Sequence, residues 1–124
     1  MVSGIRAALQ RVMMGLAFAA AVSACATTIT PELPKPVTGG IRFTLLAPEA
    51  KTVHVVGSFN GWGKVTTPMR PMGDSGVWVA EVSLRSGEHT FLYLVDDKKW
   101  LVPPLAEDFV TDGFGQINGV VVVR

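Results

Sequence analysis

Thr90-Phe91-Leu92-Tyr93-Leu94-Val95 is apolar on both faces that a β-strand presents in alternation. Such a run suits a strand buried on both sides, in the middle of a sheet. Working outward, the period stays at two. Ile41, Phe43 and Leu45 alternate with Arg42 and Thr44. Trp78, Ala80, Val82 and Leu84 alternate with Val77, Val79, Glu81 and Ser83. Residues 52–57 form another strand, with Val53 and Val55 on one face. Residues 99–102 make a short strand and residues 119–123 a closing one. Turn formers fall between them: Pro48, Asn60-Gly61, Gly73 to Gly76, Ser86-Gly87 and Asp96-Asp97. Short strands at close spacing, with no helical period after residue 24, predict an all-β chain folded as a β-sandwich.

The front of the chain reads differently. Residues 12–24 are an uncharged, mostly apolar run, preceded by Arg6 and Arg11. A positive start, a short apolar stretch and small residues at the exit are the layout of an export signal, expected to be helical. The run is too short to span a bilayer, which takes roughly 20 apolar residues. Val22-Ser23-Ala24-Cys25 resembles the lipobox of bacterial lipoprotein precursors, and Cys25 is the chain's one cysteine. The resemblance implies thioether lipidation of Cys25, cleavage before it and acylation of the new amino terminus. Several acyl chains give stable anchoring, since each buried CH₂ adds about 0.8 kcal/mol. Ala26 in place of Asp after Cys25 implies sorting to the outer membrane, facing the periplasm. Ala24-Cys25-Ala26 also fits an ordinary secretory cleavage site, which would release the protein.

Arg6 and Arg11 are the only charged residues before Cys25, so the mature chain loses two positive charges from a total of +1 and ends at −1. That excludes the polybasic footprint of a nucleic-acid binder. A lone Cys excludes an intrachain disulfide. Residues 26–40, ATTITPELPKPVTGG, are rich in Pro and Gly. With Cys25 they read as an extended tether, reaching up to about 50 Å at roughly 3.3 Å per residue. The sandwich domain is then expected over residues 41–124.

Little in that domain points to catalysis. His54 and His89 have no Cys or carboxylate at metal-ligand spacing, so neither metal nor cofactor is expected. No glycine loop opens a helix to cradle phosphate. Asp96-Asp97-Lys98-Lys99 reads as a charged hairpin turn, and Glu107-Asp108 as another solvated turn. The tryptophans say more. Trp78 fits the buried alternation. Trp62 follows Phe59-Asn60-Gly61 in a loop, and Trp100 opens a strand after a charged turn. Large aromatics at such places suit binding: an indole face complements the C–H face of a pyranose, while polar neighbours meet its hydroxyls.

Val56-Gly57-Ser58-Phe59-Asn60-Gly61-Trp62 resembles the G-S-F-N-x-W signature of glycogen-binding modules, carbohydrate-binding module family 48. Those modules occur in AMP-activated kinase β subunits and as early-set domains of isoamylases and branching enzymes. Gly87-Glu88-His89 is similar to the family's G-E-H, and Val95-Asp96 followed by Trp100 to its V-D-G-x-W. Gly115-Gln116-Ile117-Asn118-Gly119 is similar to its G-x-x-N-N. The resemblance implies an immunoglobulin-like early-set sandwich of about seven strands and non-catalytic binding of α-1,4-glucan. It implies Trp62 and Trp100 as stacking platforms and Asn118 as a partner for vicinal hydroxyls. Gln116 falls where the family often has a sugar-contacting hydroxyl residue, and Phe114 where an aliphatic side chain inserts against the glucan.

There are departures. A family Lys that contacts sugar falls at Leu92, with Lys98 or Lys99 as the substitute cation nearest in sequence. The turn before Trp100 is one residue longer, and Pro103-Pro104 replaces the family's Asp-Pro. Export also separates the chain from cytoplasmic glycogen, which leaves an imported maltodextrin, a periplasmic glucan or a cell-wall polymer as ligand. The alternative function is a protein-interaction or structural envelope module on the same sandwich, with a protein partner in place of sugar.

Overall fold

The computed structural model describes residues 30–124. The export signal, Cys25 and residues 26–29 lie outside the described residues. The fold is an all-β sandwich, and all its strand pairs are antiparallel. The first sheet is ordered β1-β2-β5-β4, from Lys35–Val37, Gly40–Leu46, Val77–Val82 and Arg70–Pro71. The second is ordered β3-β6-β9-β8, from Val53–Gly57, Gly87–Val95, Ile117–Val123 and Asp108–Thr111. A short strand β7, Lys99–Leu101, also pairs with β6. Among the described residues no helix is long and apolar enough to cross a membrane.

The period-two residues meet between the sheets. Ile41, Phe43 and Leu45 of β2 and Trp78 and Ala80 of β5 face Val53 and Val55 of β3, Phe91 and Tyr93 of β6 and Val121 of β9. Phe91 packs edge-on against Phe43 at 5.1 Å and Tyr93 at 5.6 Å between ring centroids. The Tyr93 hydroxyl crosses the core to donate to the Thr44 carbonyl at 3.3 Å. Burial raises its pKa well above the ordinary phenol value. The strand apolar on both faces is central, as expected: β6 lies between β3 and β9, with Leu92 and Leu94 buried on the side away from the core.

Three strands escape the period-two reading, and each corrects an expectation. Residues 26–40 are not tether throughout. Lys35 to Val37 pairs with Arg42 to Gly40, and Pro34 is buried. Glu32 and Thr44 exchange two hydrogen bonds of 2.9 Å, one into and one out of the Thr44 hydroxyl. Pro36 is accommodated because β1 is an edge strand, where a missing N–H leaves no ladder bond unmade on the open side. The domain thus begins by Glu32, not at Ile41. Glu107-Asp108 is not a free turn: Asp108 opens β8, and the Glu107 carboxylate accepts from Val122 N at 3.3 Å and pairs with Arg124 at 3.0 Å. The third strand, β4, has only two residues, Arg70 and Pro71, laid along β5. The described residues therefore form nine strands where about seven were expected.

Candidate glycan-binding site

The site rests on a change of partner along one edge of β6. Up to Phe91, that edge pairs with β9, the last pair being Phe91 with Gly119. From Tyr93 it pairs with β7, the first pair being Tyr93 with Leu101. Leu92 sits at the changeover. Because β-strand side chains alternate, Leu92 points away from Phe91 and Tyr93, and so away from the core. On that outer face β9 brings Asn118 and β7 brings Trp100.

Trp62 arrives from the opposite edge, after β3, and the motif before it explains how. A Cβ at Gly57 would collide with the Thr90 carbonyl and lie 2.7 Å from the Phe59 ring, so only glycine fits. Ser58 Oγ accepts from Thr90 N at 3.2 Å. Phe59 packs its ring against Phe43 at 5.7 Å and His89 at 6.2 Å. Asn60 uses its whole amide: Oδ1 accepts from Gly57 N, and Nδ2 donates to the Val55 carbonyl and Thr67 Oγ1, each at 3.0 Å. Gly61 then turns left-handed at φ 63°, and Trp62 follows at φ 60°, its N–H held by the Gly57 carbonyl at 2.9 Å. A left-handed backbone is rare for a bulky residue. Here the Asn60 bonds and the 3₁₀ turn at Ser58–Asn60 fix it.

Trp62, Leu92, Trp100, Asp112, Gln116 and Asn118 line one open cavity of about 310 Å³. That is at the small end of the range for ligand sites. Trp62 and Trp100 are 41% and 43% exposed. Leu92 is buried in the lining. Asn118 is 7% exposed, and its Oδ1 has no hydrogen-bond partner among the described residues. A buried amide oxygen without a donor carries a desolvation penalty of about 1–3 kcal/mol.

The β8–β9 turn is held from within. Asp112 Oδ1 accepts from Phe114 N at 2.7 Å and Gln116 N at 3.0 Å, and Asp112 N donates to the Gln116 carbonyl at 2.8 Å. Gln116 Nε2 donates to the Ile117 carbonyl at 2.7 Å. Of the five residues expected to bind sugar, the fold brings together Trp62, Trp100, Asn118 and Gln116. Phe114 stands apart at the turn's tip, 98% exposed and outside the lining. Lys98 and Lys99 are exposed and also outside the lining. Asp112 is the member that the sequence reading passed over. Asp112-Gly113 is a turn-forming pair, and an Asp there commonly binds the backbone two residues on. That signal marks the turn without disclosing the cavity.

His54 stays outside the lining, largely buried on β3 with Nδ1 3.8 Å from the Asp97 carboxylate. His89 Nε2 lies 2.8 Å from the Arg85 carbonyl. Among the described residues no group of three or more His, Cys, Asp or Glu is placed to hold a metal ion.

Comparison with known proteins supplies the family. Residues 29–112 match the family described as carbohydrate-binding module 48 (isoamylase N-terminal domain). The match includes Trp62, Leu92 and Trp100 and stops short of Gln116 and Asn118. Among similar proteins is a 1,4-alpha-glucan branching enzyme of Corynebacterium jeikeium, 43% identical over 54 residues, which are 43% of this chain and 8% of that protein. The branching enzyme of Mycobacterium bovis is 50% identical over 42 residues, 34% of this chain and 6% of its own length. That of Hydrogenovibrio crunogenus is 54% identical over 39 residues, 32% of this chain and 5% of its own length. The chain thus aligns with less than a tenth of each of these relatives, and its family match is to a binding module, not to a catalytic domain. With 84 of its residues inside that match, the chain belongs to the carbohydrate-binding module 48 family.

Proposed function

We propose that this domain binds α-1,4-glucan-like chains without transforming them. The observation that carries the reading is the shared cavity. Two half-exposed indoles flank an apolar floor, beside the side-chain amides of Gln116 and Asn118. Sugar C–H faces stack on the indoles, and sugar hydroxyls meet the Asn118 and Gln116 amides. Similarity to 1,4-alpha-glucan branching enzymes supports an α-glucan over other polymers. Isothermal titration with maltoheptaose tests it. Saturable binding is expected. Absence of affinity for any glucan on an array would leave the interaction-module reading in its place.

The export pattern supports a second element of the proposal, that the domain is held at the cell envelope by lipid on Cys25. Cell fractionation of wild type and Cys25→Ala tests it. The mutant is expected to leave the membrane or to persist as uncleaved precursor. Equal solubility and equal cleavage of both proteins would rule the anchor out.

A further inference from the structure

The structure assigns Asp112 as the residue that makes this cavity discriminate neutral glycans from acidic ones; the assignment rests on the glucan-binding reading above. The cavity's polar lining is two neutral amides, Gln116 and Asn118, and one carboxylate, Asp112. Asn118 keeps its Oδ1 buried and adds no charge to the lining. Gln116 gives one of its two amide N–H groups to the Ile117 carbonyl and is neutral. Asp112 is a carboxylate, acceptor-only when ionised. Its Oδ1 is fastened to two backbone N–H groups of the same turn, so the charge is held beside the cavity.

The six lining residues carry that one negative charge and no positive one. The position in the middle of the floor, where a cation would balance Asp112, is Leu92. Hydroxyl groups of a neutral sugar donate to such a surface. A carboxylate-bearing sugar brings a second negative charge, with no cation in the lining to offset it. At about 6 Å, in surroundings between water and protein, two like unit charges shift affinity by roughly tenfold. This bears on an exported domain, because envelope and extracellular polysaccharides include uronic acids as well as neutral glucans.

The test compares two ligands with one backbone on the full-length chain. One is maltoheptaose, and the other is maltoheptaose with its C6 hydroxymethyl groups oxidised to carboxylates. Isothermal titration is expected to show the oxidised chain binding about tenfold more weakly. The ratio should narrow between about 0.01 M and about 1 M salt, as the screening length falls from about 30 Å to about 3 Å. Asp112→Asn keeps a carbonyl oxygen for the Phe114 and Gln116 N–H groups and removes the charge. It should bring the ratio down to about twofold and abolish its salt dependence. Leu92→Lys, which leaves the turn untouched, should lower the ratio by a separate route. A wild-type ratio near one, or a ratio that Asp112→Asn leaves unchanged, overturns the assignment while the glucan reading stands. No affinity for maltoheptaose itself overturns both.

Discussion

Trp78 and the pair Trp62 and Trp100 put the same side chain to opposite uses. Trp78 lies on β5 opposite Leu45, in a regular strand whose pleat sends it inward, and its indole N–H donates to the Ala47 carbonyl at 3.0 Å. Trp62 sits on a left-handed residue after a 3₁₀ turn, and Trp100 in a three-residue strand on the outer face of the other sheet. The pleat places the first, while a locked loop and a partner switch place the other two. Burial of a tryptophan is thus decided less by its hydrophobicity than by whether a continuous ladder aims it at the core.

The sharpest way to break this contrast is Trp78→Ala. It opens a cavity in the core and is expected to destabilise the domain by about 3–5 kcal/mol. Thermal melting would show it as the largest loss in the set. A melt close to wild type would mean that Trp78 is not part of the core.

Trp62→Ala and Trp100→Ala should reverse the pattern. Losing one stacking surface is expected to reduce affinity for maltoheptaose by about 2 kcal/mol, roughly thirtyfold. Their melting temperatures should fall much less than that of Trp78→Ala. If either melts as badly, its indole is structural and the site lies elsewhere.

Asn118 sharpens the same comparison with a smaller expected effect. Its Oδ1 is buried without a partner, so Asn118→Ala removes an unsatisfied acceptor as well as a side chain. Affinity should drop by about 1 kcal/mol, near fivefold, with melting little changed. A large loss of stability with unchanged affinity would instead assign Asn118 to the β9 strand alone.

The fold was legible wherever side chains alternate over five or more residues, because period two with one buried face specifies both strand and register. It was not legible at β1, where two prolines in Leu33-Pro34-Lys35-Pro36 read as tether until an edge position makes them harmless. Nor was it legible at β8, whose first residue, Asp108, has the polarity of a turn. The cavity divides in the same way. Trp62 and Trp100 were marked by being large aromatics in poor core positions. Asn118 and Gln116 were marked only through family resemblance. Asp112 carries no local sign of facing them, since what joins it to Trp62 is the packing order of β3, β6, β9 and β8. Phe114 has an aromatic's signature, yet the bonds that Asp112 makes to the turn's backbone leave it at the tip.

The least of these effects concerns the turn that carries Trp100. Asp96 and Asp97 have φ of 53° and 58°, a left-handed pair at the centre of the β6–β7 turn. Asp96 Oδ1 accepts from Lys51 N at 2.6 Å and Thr52 N at 3.1 Å, tying that turn to the entry of β3. The Lys51 N–H, then that of Thr52, lower its pKa from the ordinary 3.8, with Lys51 and Lys98 adding a smaller electrostatic pull. A carboxyl with a depressed folded pKa stabilises the fold above its unfolded pKa, and that contribution is lost as pH falls through the folded one. Asp96→Asn keeps an oxygen for both backbone N–H groups, tolerates the left-handed φ and removes the charge. It should therefore melt slightly below wild type at neutral pH, and the gap should close below the ordinary carboxyl value of 3.8. Melting temperatures taken across that range read the effect directly. A gap of constant size down to the lowest pH would show that the charge contributes nothing and that shape alone holds the turn under Trp100.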